Sequence, residues 1–467
     1  MTREKLLDPQ NIPDPVHQNQ YTSLLSTRFL TFFIPSLFGA LIFLTPIKND
    51  IGYTLLLATL IEVINGLLSP IVMEFIVLIS VLPTLLYPLS LLSKQVRNND
   101  HPIAKILFPE FRWVLVRALG GLIILMVYFD FGPEWISHTN TGGLLLNDVA
   151  PVMFGCYLIS ALLLPLLTHF GLADFTGVMI SKLFNKAFNL PGRAAIDALT
   201  SWVSASSVGV IMTATQYRNG GYSKREAAIV ATNFSIVSIT FAYVILKFVH
   251  LEAHFITWYA CVLACGVVCA MIVSRLPPLR MIDNTLINGE LKDPADNGID
   301  YQGSLLHTAT EHGMTRAEKA GSLKTMLTDA IYFVIDTTIT VIPAMMLFGG
   351  LGLSLIEFTN ILDVVSVPLV PYLKLLGIPE ASAAAAAICS GFIDILMPVI
   401  VGSSIESEIT RFVIAGVAVN QLVFMNEIAV LMLKAKIGLS ITKIAVLWLL
   451  RVLISIPFMA FCAHMLF

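Results

Sequence analysis

The sequence predicts an all-α, polytopic membrane protein built from two inverted repeats, each containing a re-entrant helical hairpin. Three observations predict it. Hydrophobic residues make up 56% of 467 and charged residues 13%, and several stretches exceed the roughly 18 apolar residues that mark a membrane span. Basic residues cluster at intervals that orient those stretches. Two segments in separate halves of the chain also align at a constant offset, while the charge map places them upside down to one another.

Taken in order, residues 1–27 read as a polar cytoplasmic leader without a signal-peptide pattern. N-terminal membrane helices fill 28–130: a span at 28–47, a compound apolar region at 51–93 making one net crossing, and a span at 113–130. Lys94, Arg97, Lys105 and Arg112 put the segment before that last span inside. No Lys or Arg occurs from Ala118 to Ser181, so the polar loop at 131–148 is external. The first repeat, 149–275, opens with a span at 149–170 and returns inside at Lys182, Lys186 and Arg193. Arg218, Lys224 and Arg225 are still inside, so the broken stretch 192–217 enters and leaves on the cytoplasmic side. Spans at 223–249 and 253–275 complete the repeat.

Residues 276–325, rich in Asn, Asp, Gly and Glu, read as a mobile cytoplasmic linker. The second repeat, 327–465, crosses at 327–352 and places the broken stretch 380–403 outside. It returns through 405–433 to Lys434 and Lys436, then leaves through 441–465. Lys374 and Arg411 are single exceptions to the charge pattern. A shift of 187 aligns "KREAAIVATNFSIVSITFAYVILK" (224–247) with "RFVIAGVAVNQLVFMNEIAVLMLK" (411–434), bringing Asn233 onto Asn420 and Lys247 onto Lys434. Equal order in opposite orientation is the inverted repeat of secondary transporters.

Polar residues inside these apolar stretches are the candidate site. "VNQLVFMNEIAV" (419–430) carries Asn420, Gln421, Asn426 and Glu427, in a run without Lys or Arg from Phe412 to Leu433. At about 100° per residue, Asn420 and Glu427 share one helix face. Such groups cost several kcal/mol in hydrocarbon unless they meet partners or water. The hairpins "TSWVSASSVG" (200–209) and "CSGFIDILMP" (389–398) add Ser201, Ser204, Ser206, Ser207, Ser390 and Asp394. Their hydroxyls and exposed backbone suit a solute or a dehydrated ion, whereas small residues that only permit tight packing account for the serines but not for Asp394. Asp197, Asp336, Asp394 and Glu427 are intramembrane acids, and Thr337 beside Asp336 offers a further oxygen. With few basic partners in the same stretches, some of these acids are expected to bind a cation or a proton.

Other motifs carry less. Cys261, Cys265 and Cys269 stack on one helix face, which suits a helix seam better than a metal site. His250 and His254 lack the order of a zinc-protease motif. No P-loop, nucleophile elbow or dinucleotide fingerprint occurs, so no enzyme and no cofactor are expected beyond Na+ or H+ as a coupling ion. A net charge of −3 gives no pointer to nucleic acid.

"GRAAIDALTSWVSASSVGVIMTATQYRNGGYSKREAAIVATNFS" (192–235), with Gly221, Ser223 and Glu226 after an aromatic–basic turn, resembles the gate, or nucleoside-recognition, domain of bacterial membrane proteins. Over nearly its full length the chain is similar to the YjiH-like inner-membrane proteins. "NEIAV" (426–430) is also similar to a tract of the nucleoside site in concentrative nucleoside transporters, with Ile428 where that tract has Phe. The resemblance implies an inner-membrane location, a nucleoside-like ligand, and Asn426 and Glu427 in contact with it. Together these readings give a cation- or proton-coupled importer of a small polar solute: a nucleoside, amino acid or short peptide. The alternative is a non-transporting subunit that works with a second gate-domain membrane protein. Either assembles in the lipid bilayer, and a homo-oligomer fits both.

Overall fold

The structure, a computed structural model, describes residues 27–48, 53–92, 111–203, 206–292, 299, 304–424 and 427–467. The leader expected at 1–27 lies outside them but for its last residue. Helix α1 (Thr27–Leu44) leads into a short antiparallel pair, β1 (Pro46–Lys48) and β2 (Tyr53–Leu55), with Ile47 opposite Thr54. The compound region is α2 (Leu56–Leu68) and α3 (Val72–Leu92), whose apolar parts meet at 84°. Helix α4 (Phe111–Tyr128) follows.

The loop expected at 131–148 is largely helical. Turns at Glu134–Ser137 and Gly142–Leu144 and a π turn at Leu145–Val149 run into α5 (Ala150–Thr168). The buried Thr141 hydroxyl explains the change of direction, since it donates to the carbonyls of Trp135 (3.1 Å) and Ile136 (3.2 Å). Helix α6 (Leu172–Phe188) is followed by α7 (Arg193–Val203) and α8 (Ser206–Arg218). The last two fold back on one another, so that Ser201 meets Gly209.

The sequence suggested unbroken spans at 223–249 and 405–433. Both are interrupted. The first divides into α9 (Lys224–Asn233) and α10 (Ile239–Phe248), because Ser238 caps a new helix by accepting from Phe241 N at 3.3 Å. Helix α11 (Phe255–Val273) then crosses back. Part of the segment read as a mobile linker is a packed helix, α12 (Leu305–Glu318), seated on α1 and α6. Arg28 on α1 pairs with Glu311 (3.3 Å) and Glu318 there, and it holds the Glu318 carboxyl below the usual carboxylate range.

Helix α13 (Leu323–Ala344) continues through a π turn at Met345–Gly349 into α14 (Gly350–Phe358). After short turns come α15 (Ala381–Ser390) and α16 (Met397–Gly402), which pack together. The second interrupted span is α17 (Glu408–Gln421) and α18 (Glu427–Lys434), and α19 (Ile441–Leu466) ends the chain. Among the described residues, Glu134–Thr168, Glu252–Val273, Leu323–Leu355 and Ile441–Leu466 are long and apolar enough to cross a bilayer. The chain is a mostly helical, multi-pass membrane protein.

One apolar core joins the halves, with Ile76, Trp258, Phe412 and Ile456 all fully buried in it. Small residues set the helix spacing, as expected where lipid removes the hydrophobic drive between helices. At the crossing of α4 and α13, a Cβ on Gly120 would sit 1.9 Å from the Pro343 carbonyl oxygen, which is backbone and has little room to yield. Gly120→Ala should therefore destabilise the protein by about 1–3 kcal/mol. Gly66→Ala, where nothing lies within 4 Å of the added carbon, should leave it unchanged. Thermal unfolding in detergent separates them, and equal melting temperatures would refute this account of the crossing.

Candidate functional site

Helix α9 starts with a complete capping box. Ser223 Oγ accepts from Glu226 N (3.2 Å) while Glu226 Oε2 accepts from Ser223 N (2.8 Å). At 1.5 Å per residue its far end, Asn233, lies about 15 Å away, close to mid-bilayer for a start at the membrane surface. Helix α17 is capped by Ser407, which accepts from Thr410 N (3.3 Å). It ends at Gln421 because Leu422 turns left-handed, with φ of +55°. A bulky residue in that region costs on the order of 1–3 kcal/mol and persists only where its surroundings force it.

Both ends meet Arg451, which lies near the middle of α19 and is 0% exposed. Its Nε donates to the Asn420 carbonyl (2.6 Å) and its Nη1 to Asn233 Oδ1 (2.9 Å). Each Asn is itself fixed. Asn233 Nδ2 donates to Ile229 O (3.0 Å) and Thr232 Oγ1 (3.1 Å), and Asn420 Nδ2 donates to Gly416 O (3.0 Å) and Val262 O (3.4 Å). The carbonyl end of α17 carries about half a negative charge, and the Asn233 amide oxygen adds a neutral acceptor, so together they partly offset the guanidinium. Removing a partner from a buried charge of this kind costs about 3–5 kcal/mol.

Around this centre the structure gathers some of the expected residues. Gln421 donates from Nε2 to Ile388 O (3.1 Å) on α15, and a Cβ on Gly391 would sit 2.0 Å from its Oε1. That oxygen has no partner among the described residues. Asp394 is buried, and its Oδ1 accepts from Leu396 N (2.9 Å), which makes it a turn-forming cap ahead of α16. Ser390 is turned onto its own helix, donating to Ala387 O (2.6 Å). On the other hairpin, Ser201 and Ser206 are buried. A Cβ on Gly209 would lie 2.0 Å from Ser201 Oγ and 3.4 Å from Ser235 Oγ, in the break between α9 and α10. The Ser201 hydroxyl has no partner among the described residues. The two hairpins also reach across: α8 packs on α18, and α16 packs on α10.

Other expected residues stand apart. Asp197 on α7 accepts from the buried Tyr222 hydroxyl at 2.5 Å. Asp336 has a side chain 56% exposed and lies on α13 facing Arg117 of α4 (3.9 Å), where Thr340 donates to it (3.3 Å) and half-buried Thr337 is its neighbour. Ser204 and Asn426 fall outside the described residues, as do the side chains of Ser207 and Glu427, whose backbones lie in the first turns of α8 and α18. Sequence reasoning missed Arg451, Arg117 and Tyr222. Arg451 had a visible signal, as a lone Arg inside the apolar run of the last span.

The nucleoside recognition family, Gate, matches residues 150–252, which take in α5 to α10. A protein of Alkalihalophilus pseudofirmus, described as uncharacterised, is 38% identical over 446 residues, or 95% of this chain and 96% of its own. The chain belongs to the gate-domain, YjiH-like proteins. No solved structure matches it. Gate domains are associated with membrane transport rather than catalysis, and a gate domain among membrane-spanning helices fits a transporter-like protein. The matched gate region supplies Asn233, while Asn420 and Arg451 come from beyond it.

Within the gate domain, the Asp197–Tyr222 bond ties α7 to the turn that opens α9. Tyr222 is covered by Lys292, whose Nζ lies 5.8 Å from the ring centroid and 2.9 Å from Glu226 Oε2. A double-mutant cycle on unfolding free energy, with Tyr222→Phe and Asp197→Asn, should give a coupling of about 1–3 kcal/mol. A coupling near zero would mean that Asp197 does not need Tyr222.

Proposed function

We propose that the chain is a secondary transporter of the bacterial inner membrane that imports a small polar solute, coupled to a proton or cation. Nucleosides, amino acids and short peptides are the candidate solutes. The observation that carries this reading is the pair of broken helices whose ends meet at Arg451, with each hairpin packed on the broken helix of the other half. Discontinuous helices at mid-membrane expose the backbone groups that solutes and ions bind in such transporters.

The offset of 187 supports the two inverted repeats. It relates Asn233 to Asn420, the break after α9 to the break after α17, and α7 to α15. In this reading 192–217 and 380–403 are re-entrant hairpins on opposite sides of the membrane. The solute lies between hairpins and breaks, near Asn233, Asn420, Gln421, Asn426 and Glu427, with Ser201, Ser204, Ser206, Ser207, Ser390 and Asp394 contributed by the hairpins. Asp394 and Glu427 are the acids placed to carry the coupling charge. Asp197, Asp336 and Thr337 belong to the scaffold.

Uptake by the purified chain in liposomes tests this, with pooled labelled nucleosides, amino acids and dipeptides under imposed proton and sodium gradients. Accumulation is expected, and Glu427→Gln should reduce it at least about tenfold, a loss of roughly 1.4 kcal/mol or more of coupling or binding, without lowering the melting temperature. A Glu427→Gln variant that transports like the parent would remove Glu427 from the site. No accumulation by the purified chain, with activity only beside a second gate-domain protein, would favour a subunit role.

The hairpin assignment has its own test. Single cysteines at Phe188 and Gly220, in a background without the native cysteines, should both react with an impermeant reagent from the cytoplasmic side. Labelling from opposite sides would turn 192–217 into a crossing.

A further inference from the structure

Two helices end near one buried point, α17 with the main-chain carbonyl of Asn420 directed at it and α9 with the side-chain amide oxygen of Asn233. In hydrocarbon, such ends attract a cation, and unwound carbonyls beside broken helices are where transporters place a free coupling ion. At this point the protein already has a positive charge of its own. We propose that Arg451 is a built-in cation: its guanidinium permanently holds the position that a free sodium- or potassium-class ion would otherwise take between α9 and α17.

The ligands support this. Arg451 is held by a main-chain carbonyl of Asn420 and the amide oxygen of Asn233, both neutral oxygens of the kind that replace water around an alkali cation. Among the described residues no carboxylate pairs with it, and its hydrogen bonds go to these two oxygens. One helix-terminal carbonyl and one amide oxygen, with no carboxylate among the described residues, suit a monovalent cation rather than an ion pair. The Asn233 side chain is locked by donating to the backbone, which keeps its oxygen turned toward Arg451 whether or not a solute is present. Arg suits the place because it stays protonated when buried and has donors enough to serve both ends. Its Nη2 has no partner among the described residues, so the charge is held by the two helix ends alone.

The inference rests on the broken-helix reading of the site but not on a transported solute, and its test reads stability rather than uptake, so either can fail alone. The full chain is melted in detergent in chloride salts of sodium, potassium, methylguanidinium and tetramethylammonium at equal ionic strength. The parent should melt at the same temperature in all four. Arg451→Ala should melt at least about 5 °C lower, and should recover with rising methylguanidinium or alkali cation but not with tetramethylammonium, as binding to the folded state requires. An Arg451→Ala protein indifferent to every cation would overturn the proposal, as would a parent stabilised by alkali cations as much as the variant is. Should Arg451→Ala fail to fold, Arg451→Lys and Arg451→Met decide. The lysine variant should melt well above the methionine variant, and a methionine variant equal to it would show that the centre needs filling rather than charge.

Discussion

A guanidinium at the centre of a bilayer must be met by oxygens, and a helix that stops there must have its last carbonyls met by donors. Arg451 and the ends of α9 and α17 answer both needs at once. Neither half of the chain closes this arrangement alone, because one Asn comes from the first half and the other from the second. The breaks in the two spans, the buried polar pair and the association of the halves are therefore one constraint. Burying Arg451 without the breaks would leave a charge in hydrocarbon. Making the breaks without Arg451 would leave the Asn420 carbonyl and the Asn233 amide oxygen there without this donor.

Close approach of backbones makes this geometry attainable. Gly416 lets α17 lie against α19, since a Cβ there would come 2.2 Å from Met459 Cε. That proximity brings Asn420, one turn further along, onto Arg451. Gly266 on α11 leaves room for the Asn420 amide, and a Cβ there would lie 3.3 Å from its Oδ1. The hairpins repeat the device, with Gly209 against Ser201 and Gly391 against Gln421. Asn420, Ser201 and Gln421 each have a glycine opposite them, so these glycines select position more than flexibility.

Much of the fold was legible because hydropathy and basic residues report directly on the bilayer. The spans ending near Leu44, Tyr128, Thr168 and Val273 were placed within a few residues. The breaks after Asn233 and Gln421 were not, because Ser, Asn and Gln within an apolar run look the same whether a helix passes through them or stops. Only the tertiary partner decides, and that partner is an Arg from two hundred residues away for Asn233. The folded segment 305–318 was hidden for a related reason, since its polar composition reads as linker until α1 and α6 give it a surface. For the site, the offset of 187 singled out Asn233 and Asn420, and both end a broken helix beside Arg451. The partners of Asp197 and Asp336, a tyrosine and an arginine from other parts of the chain, were not legible, because spacing alone cannot bring them near.

The centre also restricts how the molecule can move. Any rearrangement that separated α9 from α17 would strip an oxygen from Arg451, and a buried charge that loses a partner costs more than most helix contacts return. The C-terminal ends of these two helices therefore behave as one body with α19. The segments beyond the breaks are under no such obligation. Helices α10 and α18 start afresh after the breaks, and each is packed by the hairpin of the opposite half. Each hairpin thus bears on the other half's helix, while the second also touches the pivot through Gln421, which donates to Ile388 O. The architecture sets a charged pivot that has to stay closed beside short helices that pack across the halves, and Ser201 Oγ and Gln421 Oε1, two of the polar atoms without partners among the described residues, lie on the boundary between the two.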